Sequence, residues 1–168
     1  MVAAESFPGD DAAAPVFVPF DMRGGKARYL ACYRDAWRIA HGSLSGFDEN
    51  ACWNGARTRA AESPESVMEM RRNGEFAGIL ALDDRRGAWR GYGWIAFFYV
   101  APPLRGRGLG RAMLDRAEEH FAALGRRAVR LTVAPGNPAL GFYERTGFVR
   151  AGTEPGALEP LYVMEKKL

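Results

Sequence analysis

The chain has 168 residues, 48% hydrophobic and 26% charged, which is the composition of a globular protein that buries a core without disulfide or metal support. Its net charge is only +3, and its arginines are spread along the whole sequence, so the charge suits a small phosphate-bearing ligand better than nucleic acid. Cys32 and Cys52 fit no zinc or redox spacing, so we expect two buried free thiols and no metal site.

Residues 1–14 are small, acidic and interrupted by proline, and are predicted to form a disordered tail. They contain neither the basic region nor the apolar stretch of a signal peptide, and the longest purely apolar run in the chain, WIAFFYV, is too short to cross a membrane. We therefore expect a non-exported, cytoplasmic protein without membrane attachment, with residues 15–168 forming one domain.

The first third of the chain predicts a short strand followed by two helices. PVFVPF predicts an edge strand, because proline cannot donate to a central ladder. Apolar residues recur at helical spacing between Gly25 and Gly42. A second helix is predicted from an N-cap at Asp48 to about Glu62, where Ser63-Pro64 ends it.

The middle of the chain has the two-residue period of strands. Asn73-Gly74 predicts a hairpin between strands at 67–70 and 76–82. Residues 91–100 are apolar on both faces and predict a strand in the middle of the sheet. Simple alternation places Tyr92, Trp94, Ala96 and Phe98 on one face and Ile95, Phe97 and Tyr99 on the other.

The last third predicts a helix from Leu109 that ends before Gly125, and then a buried strand at 129–133. A helix of barely two turns follows, which starts at Asn137-Pro138 and ends at Gly147. Two strands, 148–152 and 161–166, complete a mixed α/β pattern. The chain shows no repeat and no internal linker.

The turn VAPPLRGRGLG, residues 100–110, joins the predicted central strand to the next helix. Unpaired N–H groups at a helix start, the helix dipole and close backbone approach at glycine all favour a bound anion. A dinucleotide site would need a third glycine where Arg111 stands, and a P-loop would need a lysine and a hydroxyl after Gly110. The turn therefore predicts a site for a phosphate-bearing ligand of another class than a dinucleotide or a nucleoside triphosphate.

Two segments resemble the GNAT superfamily, the GCN5-related N-acetyltransferases. One is the Arg-x-x-Gly-x-Gly spacing of residues 105–110 after a Val-x-Pro strand end, and the other is NPALGFYERTGF, residues 137–148. The resemblance, to a bacterial member of no assigned sub-family, implies an α/β (α+β) GNAT-like fold. Its mixed, mostly antiparallel central sheet would have about six or seven strands flanked by about four helices. The implied cofactor is acetyl-CoA.

The resemblance also assigns the cofactor contacts. The pantetheine arm would pair with the backbone at the end of the central strand, and the pyrophosphate would bind the backbone amides of the turn, with the side chains of Arg105 and Arg111 nearby. The implied cofactor-binding residues are Phe98, Tyr99, Val100, Arg105, Gly106, Arg107, Gly108, Leu109, Gly110, Arg111 and Asn137. Asn137 would equally serve as an N-cap.

Tyr143 matches the family's tyrosine that faces the departing thiolate, a proposed general acid, although core packing would also account for it. Many relatives carry a carboxylate on the central strand, yet residues 91–100 contain no Asp, Glu or His. A water chain, an amine that is already partly neutral, or an acid from elsewhere must serve instead. The candidate side chains are His41, Asp48, Glu49, Asp83, Asp84, Glu154 and Glu159. His41 would also suit the end of the first helix as a cation.

In this superfamily the first two helices and the final hairpin loop usually frame the acceptor site. The residues there that could line a pocket are Trp37, His41, Tyr92, Trp94 and Glu154, although the aromatic ones would also serve as core. An aromatic lining suits a small-molecule amine with apolar or cationic character better than a protein acceptor. The sequence does not decide the oligomeric state, and a homodimer is one alternative.

Three functions remain at this point. The first is transfer of an acetyl group from acetyl-CoA to a primary amine by direct attack in a ternary complex. The second is acyl-CoA binding without catalysis. The third is RNA binding, because RGYGWIAF, residues 90–97, nearly fits the RNP1 pattern, although a helical pattern stands where the partner strand should be.

Overall fold

The computed structural model describes residues 13–168; most of the predicted tail, residues 1–12, lies outside the described part. The helices and strands are β1 (Val16–Pro19), α1 (Lys26–His41), α2 (Glu49–Glu62), β2 (Val67–Arg72), β3 (Glu75–Asp83), β4 (Tyr92–Val100), α3 (Leu109–Ala123), β5 (Ala128–Val133), α4 (Leu140–Arg145), β6 (Val149–Glu154) and β7 (Leu161–Lys167). The seven strands form one sheet in the order β1-β2-β3-β4-β5-β7-β6. The predicted mixed α/β fold is confirmed, and β4 lies in the middle of the sheet.

Helices cover both faces of the sheet and divide the core in two. On one face, α3 packs Met113, Leu114 and Phe121 onto the sheet, and the start of α4 adds Tyr143. On the other face, Tyr29 of α1 and Trp53 of α2 pack against β3 and β4. Because β4 is covered twice, its residues are apolar throughout, as the sequence predicted.

The one parallel pair of neighbouring strands in the described sheet, β4 and β5, separates soon after it begins. The two strands pair only from Tyr92 opposite Ala128 to Trp94 opposite Arg130, although β4 continues for six more residues. Beyond that point β4 keeps its antiparallel ladder with β3 but has no partner on the β5 side. The separation opens a gap at the carboxyl ends of both strands.

A bulge in β4 changes the predicted assignment of its faces. Ala81 lies opposite Phe97 and Leu82 opposite Ile95, so Ala96 is an extra residue in the ladder with β3. Ala96 and Phe97 therefore both contact the α1/α2 side, and Phe98 turns to the α3 side. The alternation predicted for Phe98 was wrong because a bulge shifts the two-residue period by one position.

Gly93 is the position where the core leaves no room for a side chain. A Cβ atom built on Gly93 would lie 2.2 Å from ring atoms of Phe121 in α3. We predict that Gly93→Ala lowers the free energy of unfolding by about 3 kcal/mol, because either α3 or the Phe121 ring must move.

Gly136→Ala is the matched control for this prediction, because a Cβ atom there meets nothing within 4 Å. Urea denaturation of both variants measures the difference. Equal stability of the two variants would contradict the packing of α3 on β4.

Candidate active site

A cleft of about 600 Å³ lies at the end of β4, between α1, the 101–108 turn and α4. It contains most of the residues that the sequence predicted to bind a cofactor. Its lining is Ala36, Ile39, Phe98, Tyr99, Val100, Arg105, Gly106, Gly108, Gly110, Arg111, Asn137, Pro138, Ala139, Phe142, Tyr143 and Arg145. Arg107 is exposed outside this lining, and the side chain of Leu109 is buried in the core beneath α3.

The turn presents bare backbone to this cleft. Gly106 and Gly108 have φ of 75° and 80°, and a Cβ atom on either would meet nothing within 4 Å. Gly108 precedes α3 without any side-chain cap, so the first N–H groups of the helix are left free of side-chain partners. This arrangement is typical of a phosphate site.

The two arginine side chains of the turn are held by the protein itself. Arg105 donates from Nε to the Val100 carbonyl at 2.8 Å and from Nη2 to Asp35 at 3.2 Å. Arg111 donates from Nε to Asp115 at 2.8 Å, one helical turn away. Both arginines line the cleft, but each guanidinium already has a carboxylate partner.

Tyr143 lies where this cleft meets a second pocket, and it lines both. Its ring is buried and packs edge-to-face against Phe98, Phe142 and Phe148, with centroids 5.4–6.0 Å apart. Burial raises the pKa of the Tyr143 phenol well above its usual range, so the hydroxyl keeps its proton at neutral pH. The prediction that Tyr143 is placed to act as an acid stays a prediction, and the ring also serves the core.

Asn137 also lines both cavities. Its side-chain oxygen accepts a hydrogen bond from the Ala139 N–H at 2.9 Å, and its carbonyl accepts from Leu140 at 3.0 Å. The predicted start of α4 at Asn137-Pro138 was wrong by two residues, because Asn137 caps a separate turn and the helix begins at Leu140.

The second pocket, of about 150 Å³, lies in the gap between β4 and β5. One face of α1 forms its wall, with side chains at the spacing i, i+3, i+4, i+7. The floor is supplied by both strands. The lining is Tyr33, Ala36, Trp37, Ala40, Ile95, Phe97, Phe98, Leu131, Thr132, Asn137 and Tyr143.

Two loops meet beside this pocket. His41, at the end of α1, lies with its ring 4.5 Å from the ring of Trp37 and its Nδ1 3.6 Å from a carboxylate oxygen of Glu159 in the β6–β7 loop. Leu158 of the same loop lies against Gly46 of the α1–α2 loop. Nδ1 of His41 is buried and makes no hydrogen bond with any described residue.

Three of the predicted acceptor residues lie elsewhere. Trp94 is covered by the Arg86 guanidinium, 3.6 Å from its ring centroid, and Arg86 also binds Glu154. Arg130 covers Tyr92 in the same way at 3.7 Å. Tyr92, Trp94 and Glu154 line neither cavity, and neither does His41, whose ring lies beside Trp37 of the second pocket. The predicted role of these residues at an acceptor site stays a prediction.

None of the seven candidates for a general base lines either cavity, and five of them are engaged with groups away from the second pocket. Asp48 caps α2, and Glu49, Asp83, Asp84 and Glu154 bind Arg34, Arg59, His120 and Arg86 respectively. The pair of His41 and Glu159 is what remains beside the acceptor pocket.

Residues 13–168 contain no cluster of His, Cys, Asp and Glu that could hold a metal ion, and none of their helices is long and apolar enough to cross a membrane. Cys32 is buried, as predicted, but Cys52 is only partly buried. Burial raises the pKa of both thiols to about 11.

A family model described as the acetyltransferase (GNAT) family matches residues 27–148. The chain belongs to the GNAT family. The match spans the α1 residues that line the second pocket, the glycine turn and Tyr143. In the RNP1-like segment, Trp94 and Phe97 are each only 6% exposed and pack beneath other side chains, so these two rings form no exposed stacking surface.

Curated relatives share only part of their length with this GNAT protein. An uncharacterized N-acetyltransferase of Methanocaldococcus jannaschii is 45% identical over 51 residues, which are 30% of this chain and 23% of the relative. Mycothiol acetyltransferase of Propionibacterium freudenreichii is 32% identical over 94 residues, 48% of this chain and 30% of that protein. The matched parts thus span about a quarter to a third of these relatives.

Solved structures share the fold over almost the whole chain. The PaiA N-acetyltransferase of Thermoplasma acidophilum, solved in complex with coenzyme A, has a TM-score of 0.65 and 16% identity, and the alignment covers 93% of this chain and 100% of that one. At this identity the likeness shows the GNAT fold.

The exposed backbone of the turn gives a prediction about cofactor binding. Gly108→Val should weaken acetyl-CoA binding by at least about ten-fold, because a branched side chain at φ of 80° strains the turn and fills the space in front of its amides. Isothermal titration calorimetry with acetyl-CoA measures the change.

Gly74→Val is the control, because Gly74 also has φ of 80° and open space around its Cβ, but lies in the β2–β3 hairpin. It should carry the same strain and leave acetyl-CoA affinity unchanged. Equal affinities for the two variants would show that the turn is not the phosphate site.

Proposed function

We propose that this GNAT protein is an acetyl-CoA-dependent N-acetyltransferase that acetylates the primary amine of a small molecule. The observation that carries the proposal is the position of Tyr143, whose protonated side chain lies where a cleft with a glycine-rich backbone turn meets a smaller pocket lined by aromatic and uncharged polar side chains. One cavity suits a long phosphate-bearing donor, and the other suits a compact acceptor.

The donor would bind along the larger cleft. Its pyrophosphate would accept hydrogen bonds from the amides of residues 106–110, and its pantetheine arm would extend toward Tyr143 beside Phe98–Val100. Beyond Trp94 that side of β4 has no neighbouring strand, so its backbone groups are available to an extended arm. A main-chain N–H of β4 would stabilise the oxyanion, so the side chains there need not be polar.

Transfer would proceed by direct attack in a ternary complex. The neutral amine nitrogen forms a bond to the thioester carbon, the C–S bond breaks, and Tyr143 donates its proton to the departing sulfur. A phenol carries its proton at neutral pH even at its ordinary pKa, so Tyr143 is protonated before each turnover. The proton released from the nitrogen returns the phenolate to its starting state.

The small pocket favours a compact acceptor. A cavity of about 150 Å³ accommodates a group about the size of benzene. Tyr33 and Trp37 present aromatic rings, and the lining contains no ionised side chain. The β6–β7 loop lies across the α1–α2 loop beside the pocket, which leaves less room for a protein acceptor. We therefore favour a small amine with an apolar body.

A non-catalytic acyl-CoA-binding protein is the second candidate, and one observation favours it. No Asp, Glu or His lines the pocket in which the amine would lose its proton. We place the proton acceptor of the catalytic alternative at the pair of His41 and Glu159 beside Trp37, reached through water.

The experiment that tests the proposal is thiol release from acetyl-CoA in the presence of a panel of primary amines, including phenethylamine, butylamine and amino acids. For the best amine, Tyr143→Phe should lower kcat by about 100-fold through loss of the acid, while the Kd of acetyl-CoA changes less than about two-fold.

Tyr162→Phe is the control, because Tyr162 lies on β7 under Arg150 and lines neither cavity. Acetyl-CoA binding without thiol release from any amine would support the acyl-CoA-binding candidate instead. An unchanged kcat for Tyr143→Phe would exclude Tyr143 as the acid.

A further inference from the structure

Asp35 of α1 joins the two halves of the site through one carboxylate oxygen. Its Oδ2 accepts a hydrogen bond from the Tyr99 hydroxyl at 2.8 Å and another from Nη2 of Arg105 at 3.2 Å. Tyr99 belongs to β4, and Arg105 begins the glycine turn. The next residue of α1, Ala36, lines both cavities. Asp35 therefore links the wall of the acceptor pocket to the cofactor turn.

Arg105 is held from three sides at the start of the turn. Besides the bond to Asp35, its Nε donates to the Val100 carbonyl at 2.8 Å, and its guanidinium lies 5.3 Å from the ring centroid of Tyr99. These contacts fix the position at which the chain leaves β4. Gly106 and Gly108, which follow directly, have no side chains of their own to hold the turn in place.

We propose that Asp35 is a positioning residue for the cofactor turn, and that Arg105 acts as its tether to the turn instead of as a phosphate ligand. The Asp35 carboxylate neutralises Arg105 beside the cleft. The phosphates of acetyl-CoA then bind the backbone amides of residues 106–110. This inference rests on the proposed function, because it takes the turn to be the acetyl-CoA site.

The alternative is that Arg105 leaves Asp35 when acetyl-CoA arrives and binds a phosphate. The two possibilities predict opposite effects for Asp35→Asn. If Asp35 positions the turn, loss of its charge weakens the tether and acetyl-CoA binding. If Arg105 is a phosphate ligand, loss of the competing carboxylate frees the guanidinium, and binding is unchanged or tighter.

Calorimetry with acetyl-CoA tests this for Asp35→Asn, Arg105→Ala and the double variant. We expect Kd to rise between about three-fold and ten-fold in each single variant, and the double variant to be no weaker than Arg105→Ala, because both changes break the same tether. Arg105→Ala should keep the wild-type salt dependence of Kd between about 50 and 200 mM NaCl, since no phosphate contact is lost.

Glu49→Gln is the matched control, because Glu49 also forms an ion pair with an arginine, Arg34, and joins α1 to α2 away from both cavities. It should leave Kd within two-fold of wild type. Unfolding temperatures of Asp35→Asn and Glu49→Gln should agree within about 3 °C, which separates positioning from general destabilisation.

Amide hydrogen exchange of the unliganded protein gives a readout that does not depend on acetyl-CoA. Exchange at the hydrogen-bonded amides on both sides of the glycines, those of residues 104, 105, 111 and 112, should be faster in Asp35→Asn than in Glu49→Gln. Unchanged exchange, or unchanged or tighter acetyl-CoA binding in Asp35→Asn, would overturn the inference. Wild-type protein that binds no acetyl-CoA would overturn the proposed function, whereas the exchange experiment would still decide whether Asp35 orders the turn.

Discussion

The site depends on one feature of the sheet, the early end of the pairing between β4 and β5. Parallel strands that stayed paired would fill the space at their carboxyl ends with hydrogen bonds and side chains. Here three residue pairs hold the strands together, and the gap that follows contains the acceptor pocket. The same separation leaves one edge of β4 without a ladder partner, which is the requirement for an extended ligand to lie beside it.

The elements after each strand complete the two cavities. The chain leaves β4 through the glycine turn into α3, and it leaves β5 through the Asn137 turn into α4, so both turns lie at the same end of the sheet. Tyr143 of α4 and Phe98 of β4 then meet across the gap, with ring centroids 6.0 Å apart. The junction of donor and acceptor cavities is thus a consequence of strand order and of two tight turns.

The larger cleft combines arginine side chains with the backbone N–H groups at the start of α3. Arg105 and Arg111 lie in the cleft, but Asp35 and Asp115 neutralise them. Free N–H groups at the start of α3 carry no such counter-charge. This is consistent with a chain whose net charge is small and whose arginines are mostly engaged in ion pairs or stacked on aromatic rings.

Local sequence signals predicted the elements and the cofactor turn, because caps, glycines and hydrophobic period act over a few residues. Asp48, Asn73-Gly74 and Gly108 each lie where those signals place them. The acceptor pocket could not be predicted in the same way. Ala96 forms a bulge that no local signal indicates, and Trp94 is covered by Arg86, a partner fixed only by the tertiary fold. The helical spacing of the apolar residues around Trp37 was visible in the sequence. Which face of α1 lies against the gap between β4 and β5 depends on the sheet.

The central claim is that acetyl-CoA lies along β4 with its phosphates on the glycine turn, and amide chemical-shift mapping of the ¹⁵N-labelled protein tests it most directly. On titration with acetyl-CoA, we predict the largest shifts at residues 98–100 and 106–111, and small ones at residues 85–91, where Arg90 lies over the exposed ring of Trp89. Shifts concentrated at residues 85–91, with the turn unaffected, would contradict the account.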